Sequence, residues 1–129
     1  MRAPLYVLRL TAIVFLSFGL WGLLSPLSLL GTVGVELPVP SAVAEMRGFY
    51  GGLEIGIALF LLYSSRAARY AETAALMPAL GLSGLVIGRL VGVLVDGPAN
   101  LLFYLSGVME AVGALACSWA YRHLRQRLK

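Results

Sequence analysis

The sequence predicts an all-α fold, an integral membrane four-helix bundle with antiparallel neighbours, and three observations carry that expectation. Four apolar stretches approach or exceed the roughly 20 residues needed to cross a bilayer's hydrocarbon core. The 129 residues are 60% hydrophobic and only 12% charged, with a mean hydropathy of +0.88, whereas a soluble domain carries about 25% charged residues to cover its surface. The connections after the second and third stretches are short, which forces neighbouring helices to run in opposite directions. The spans, about 5–24, 46–63, 74–95 and 101–121, leave one longer loop, two short turns and a basic tail. Residues 1–129 are therefore read as a single transmembrane domain with no room for a soluble one.

The first span starts like a signal peptide, "MRAPLYVLRLTAIVFLSFGLWGLL". Its apolar run is long for that role, and the nearest small-x-small site, Ala42 and Ala44, lies far downstream, so a retained helix is expected. The loop that follows, "SPLSLLGTVGVELPVPSAVAEMR", carries Pro26, Pro38 and Pro40, which argue against a continuous helix. It is expected to fold back over the outer end of the bundle, either as a packed connector or as a lid over a cavity. In the second span Gly48, Gly51, Gly52 and Gly56 surround Glu54 and would let another helix approach closely. The third repeats the pattern in "GLVIGRLVG", where Gly84, Gly88 and Gly92 make two small-xxx-small steps. "VDGPAN" reads as a tight turn punctuated by Asp96, Gly97 and Pro98. In the fourth span Ser106, Gly107, Gly113 and Ala114 flank Glu110, and the single Cys117 reads as a small packing residue. One cysteine excludes an intramolecular disulfide and CxxC chemistry. Trp21 and Trp119 fit interfacial belts or packing.

Basic residues set the orientation. Arg2, Arg9, Arg66, Arg69, Arg122, Arg125, Arg127 and Lys129 fall on one side of a four-crossing chain, and Arg47 stands on the other with Glu36, Glu45 and Asp96. The positive-inside rule then makes both termini cytoplasmic. The tail "YRHLRQRLK" orients the chain and attracts anionic lipid head groups, so the net charge of +4 calls for no nucleic acid. His123 has no second His or Cys nearby, which argues against a metal site, and no cofactor-binding loop is present.

Three ionisable residues interrupt the apolar spans. At 1.5 Å per residue, Glu54, Arg89 and Glu110 lie roughly 12, 10 and 14 Å below the outer surface. They share one layer, where an unpaired charge costs about 2.5–3.5 kcal/mol. The expected arrangement is a cluster in which Arg89 offsets the glutamates and Glu54 is its main partner. Seven-residue steps from Arg47 to Glu54 and from Arg89 to Asp96 give each helix one polar stripe, and Tyr50 and Tyr104 could lend hydroxyls. Glu54, Arg89, Glu110, Arg47, Asp96 and Tyr50 are thus the candidate site residues. The cluster either fixes helix register or lines a pocket for a small, largely apolar ligand.

At "AEMRGFYGGLEIGIALFLL", with "GRLVGVLVDGP" and the mid-helix "ME" of the fourth span, the chain resembles DUF4345, a family of small bacterial membrane proteins of unknown function, and is more distantly similar to DoxX-like four-helix proteins. The resemblance extends over nearly the whole chain and rests on Glu45, Arg47, Tyr50, Gly51, Gly52, Glu54, Arg89, Asp96, Gly97 and Glu110. It implies a four-helix fold in the bacterial inner membrane and no catalytic assignment. The thiol or quinone redox work suggested for DoxX-like proteins would lack a cysteine pair here.

Three function classes follow. The leading one is a non-enzymatic bundle that binds a lipid or small apolar ligand, or serves as accessory subunit to a membrane protein partner or to further copies of itself. The second is a membrane-embedded acid/base enzyme on a lipid-like substrate, with Glu54 or Glu110 as the acid and Arg89 as electrostatic stabiliser. The third is a proton-coupled small-molecule transporter, which the strong arginine bias disfavours because it fixes one orientation.

Overall fold

The computed structural model describes residues 2–127, the side chain of Ala68 excepted. Among these the chain is all-helical, with no strand. Helix α1 spans Arg2–Leu24, α2 Pro26–Gly31 and α3 Pro40–Arg47; a π-helical turn, Gly48–Leu53, leads into α4, Glu54–Ser64; α5 spans Ala68–Asp96 and α6 Leu101–Arg127. Lys129 of the basic tail lies outside the described residues.

Three helices, α1, α5 and α6, are long and apolar enough to cross a membrane. Their 23, 29 and 27 residues correspond to roughly 35, 43 and 40 Å, against a hydrocarbon core of about 30 Å. The stretch expected as the second span, 46–63, is helical throughout but is not one α-helix. It divides into α3, the π turn and an α4 of only 11 residues. The sequence "GFYGGL" accounts for the break, since three glycines in six residues lower the cost of widening a turn to i→i+5 bonding.

Local chemistry sets the other boundaries. Pro26 and Pro40 stand in the first turns of α2 and α3, where a missing N–H costs nothing. Gly97 adopts φ +100° at the end of α5, a conformation that favours glycine, and Pro98 follows. Asn100 caps α6, accepting from the Phe103 N–H at 2.9 Å. The long first loop is packed: Pro26, Leu29 and Leu30 of α2 are buried, and Trp21 Nε1 donates to Ser28 Oγ at 3.3 Å.

Helix α1 lies along α4, with Arg9 near Ser65, Gly19 against Ile55, Gly22 against Tyr50 and Leu23 against Gly51. Helix α5 lies along α6, with Leu82 against Gly113 and Arg89 against Glu110. A core of Leu8, Ala12, Leu61, Ala71, Ala74, Ala75, Ala120 and Leu124 joins the two pairs, at the end that carries most of the arginines. Beyond Leu82 in α5 and before Ala114 in α6 no residue is fully buried. The accessible surface, 8089 Å², exceeds the roughly 6,600 Å² of a compact soluble protein of this mass. Much of it is leucine, valine and isoleucine, as at Leu94, 85% exposed; a surface of that kind suits lipid.

Candidate functional site

Close packing of α5 on α6 positions the central ion pair. A side chain at Gly107 would stand 3.5 Å from Arg89 Cδ, so the glycine leaves the arginine stem a path across α6. Its guanidinium then meets Glu110 two-pronged: Nε donates to Oε2 at 2.6 Å and an Nη2–H to Oε1 at 2.7 Å. The Phe103 ring lies beneath, 4.6 Å from Arg89 Cζ, in cation–π range. The two side chains are 25% and 14% exposed.

Glu54 opens α4, with its Cβ beside Gly19. It is half-buried, within electrostatic reach of Glu110, and has no hydrogen-bond or ion-pair partner among the described residues. The expected Glu54–Arg89 partnership is therefore replaced by Arg89–Glu110. A guanidinium fork matches one carboxylate bidentately, and α6, packed directly on α5, presents Glu110 to it. The shared layer thus resolves into a neutral pair and one unpaired acid.

The remaining candidates stand apart from that pair. Arg47 reaches α1 instead, donating to the carbonyls of Leu23 and Leu24, and so satisfies orphan acceptors at the helix C-terminus. Asp96, the last residue of α5, is exposed and without a partner among the described residues. Tyr50 is exposed in the π turn; its carbonyl packs on Gly22, and it lies within electrostatic reach of Arg89. Tyr104 accepts from the Ala99 N–H at 3.2 Å, away from the carboxylates.

Two contributors escaped the sequence reading. Phe103 precedes Glu110 by seven residues, a spacing that puts both on one face of α6. Asn100, just before an apolar helix, carries a capping signal, and its Nδ2 also donates to the Thr32 carbonyl at 3.0 Å.

The glycine expectation needs correction. Of the glycines singled out in the second and third spans, only Gly51 is tight, its would-be Cβ 2.7 Å from Leu23 Cα; Gly48, Gly52, Gly56, Gly84 and Gly88 have no neighbour within 4 Å, and Gly92 meets only Asp96 Oδ2 at 3.9 Å. The other close approaches are at Gly19 and Gly22 of α1 and at Gly113 of α6, whose would-be Cβ stands 2.9 Å from Leu82 Cδ1. Open space thus flanks the polar layer. A hollow of about 410 Å³ lies elsewhere, against Leu37, Pro38, Val39, Pro40, Val43, Ala44 and Arg47. Among the described residues no group of three or more His, Cys, Asp or Glu is placed to hold a metal.

DUF4345, a domain of unknown function, matches residues 5–121, and the chain belongs to that family. No curated protein and no solved structure matches it.

Proposed function

We propose that this DUF4345 protein is a four-helix membrane bundle that binds a lipid or small apolar ligand beside Glu54 without transforming it. The continuous helical stretch from Pro40 to Ser64 serves as the fourth crossing alongside α1, α5 and α6. Neighbours run antiparallel, both termini are cytoplasmic, and the host membrane is the bacterial inner membrane. One observation carries the ligand reading: Glu54 is half-buried and unpaired in the half of the molecule where no residue of α5 or α6 is fully buried. Arg89 and Glu110 neutralise each other and fix the register of α5 on α6. Glu54 is then the polar contact left for a guest whose body occupies the space beside the bare glycines. Mass spectrometry of molecules that co-purify with wild type and with Glu54→Gln tests this. A species of fixed identity that is retained by the wild type and lost from the variant supports it, and the same profile from both refutes it.

The bare faces at Gly84 and Gly88 favour a second reading, in which another helix seats there and the chain is an accessory subunit or a homo-oligomer. Crosslinking from cysteines placed at these positions in native membranes separates the two.

A further inference from the structure

We infer that the guest beside Glu54 is a lipophilic monocation, an apolar body carrying one alkylammonium group that seats against the Glu54 carboxylate. This rests on the proposed function, to whose site it gives a chemical class.

Charge complementarity identifies the guest. Five of the six acids, Glu36, Glu45, Glu54, Asp96 and Glu110, stand in the half away from the arginine-rich end, against two cations, Arg47 and Arg89. Both cations are engaged elsewhere. Arg89 holds Glu110 through two donors, and Arg47 donates to the carbonyls of Leu23 and Leu24. Hydroxyls on the neighbouring helices are spent as well: Ser17 donates to the Ile13 carbonyl at 2.8 Å and Ser106 to the Leu102 carbonyl at 2.9 Å, and a hydroxyl has one hydrogen to give. The α1 residue beside Glu54 is Gly19, which has no side chain to offer. Glu54, Arg89 and Glu110 together carry one negative charge, and a carboxylate within a membrane needs a partner. None comes from the fold among the described residues, so the guest brings it. An anionic guest would meet Glu54 and the surplus acids as like charges, whereas that surplus draws cations toward this half. An ammonium then donates to the carboxylate in charge-assisted bonds. The competing partner is a proton, which would make Glu54 a neutral donor and the guest uncharged.

An ammonium and an alcohol of equal chain length separate these two cases. Radiolabelled dodecylammonium and dodecanol are dialysed to equilibrium, at neutral pH, against the full chain in maltoside micelles, with protein-free micelles as the blank. Glu54→Gln should weaken dodecylammonium by roughly tenfold or more, the low end for close charge pairs, and change dodecanol by less than about twofold. Glu36→Gln makes the same charge change in the exposed loop before α3 and should cost less than about threefold, since solvent and salt screen it. Equal ammonium losses in the two variants would leave only diffuse charge and overturn the inference. Equal losses of both probes in Glu54→Gln would also overturn it, while upholding Glu54 as the polar contact of the proposed function. No loss of either probe overturns it too, and the proposed function falls with it only if the co-purifying species is also unchanged in Glu54→Gln. If Glu54→Gln does not fold by circular dichroism, Glu54→Met, of similar length and suited to lipid, takes its place with the same outcomes.

Discussion

Replacing Arg89 by glutamine should destabilise the protein more than replacing Glu110, and the two changes together should cost less than their sum. The pair is bidentate at 2.6 and 2.7 Å, with side chains 25% and 14% exposed, so it lies nearer the buried limit than the surface one. Exposed pairs contribute about 0–1 kcal/mol, and removing one partner of a buried pair costs about 3–5 kcal/mol. Partial exposure puts each single change at about 3 kcal/mol. Without Glu110 the guanidinium still sits over Phe103, which offsets about 1 kcal/mol. Without Arg89, Glu110 loses its cation and keeps Glu54 within electrostatic reach. The expected costs are therefore about 3 kcal/mol for Arg89→Gln and about 2 kcal/mol for Glu110→Gln, with a coupling of about 2 kcal/mol in the double variant. Glu54→Gln removes an acid with no partner and should cost less than about 0.5 kcal/mol, the range of changes that break no specific contact. Thermal melting in detergent, at about 4 °C per kcal/mol, should therefore place the double variant level with Arg89→Gln, about 12 °C below wild type, where an additive pair would lie about 20 °C below. An additive double variant, or a Glu54→Gln as damaging as Glu110→Gln, would refute the pairing.

Three more expectations can be checked by melting and labelling. Gly22→Ala would drive a methyl into the Tyr50 carbonyl and Gly51→Ala would set one 2.7 Å from Leu23 Cα, so each should cost about 2–3 kcal/mol; Gly84→Ala and Gly88→Ala, inside α5 with no neighbours, should gain about 0.5–1 kcal/mol. Loss at Gly84 would mean that a partner covers that face. Asn100→Ala should cost about 1–2 kcal/mol as the α6 cap is lost, while Asn100→Ser should recover the cap but not the bond to Thr32; a serine variant as stable as wild type would leave that bond without weight. With Cys117→Ser as background, single cysteines at Ala3 and Gln126 should both resist an impermeant maleimide in right-side-out vesicles, whereas labelling of only one would indicate an odd number of crossings.

The spans were legible because apolar length is a property of composition, and α1, α5 and α6 cover the stretches expected at 5–24, 74–95 and 101–121. The π turn was not, since "GFYGGL" fits small-residue packing equally well. What distinguishes the two is Gly22 on another helix, which lets the Tyr50 carbonyl come close. Depth placed Glu54, Arg89 and Glu110 in one layer but could not say which carboxylate takes the guanidinium. That choice follows from α5 lying on α6 and from Gly107 leaving the arginine stem its path, a tertiary fact. Arg47 illustrates the same limit: a charge near a span's end was read as part of a polar stripe, yet its work is at the carbonyls of Leu23 and Leu24.

Small residues play opposite parts at the two ends, and the difference organises the molecule. At the arginine end they are alanines, Ala12, Ala71, Ala74, Ala75 and Ala120, all fully buried. Alanine lets helices approach while keeping the best intrinsic helix propensity, so this end closes tightly with few large side chains. At the other end the small residues of α5 are Gly84 and Gly88, which face open space and cost helix stability without repayment in packing. Contact between the pairs there includes the bond from Asn100 to Thr32, a polar link between turns. A bundle meant only to be stable would carry alanine at those glycines. Alanine at Gly84 or Gly88 therefore separates the two cases: with nothing seated on that face the added methyl meets open space and the gain in helix propensity shows as added stability, whereas a molecule packed there turns the same methyl into a clash.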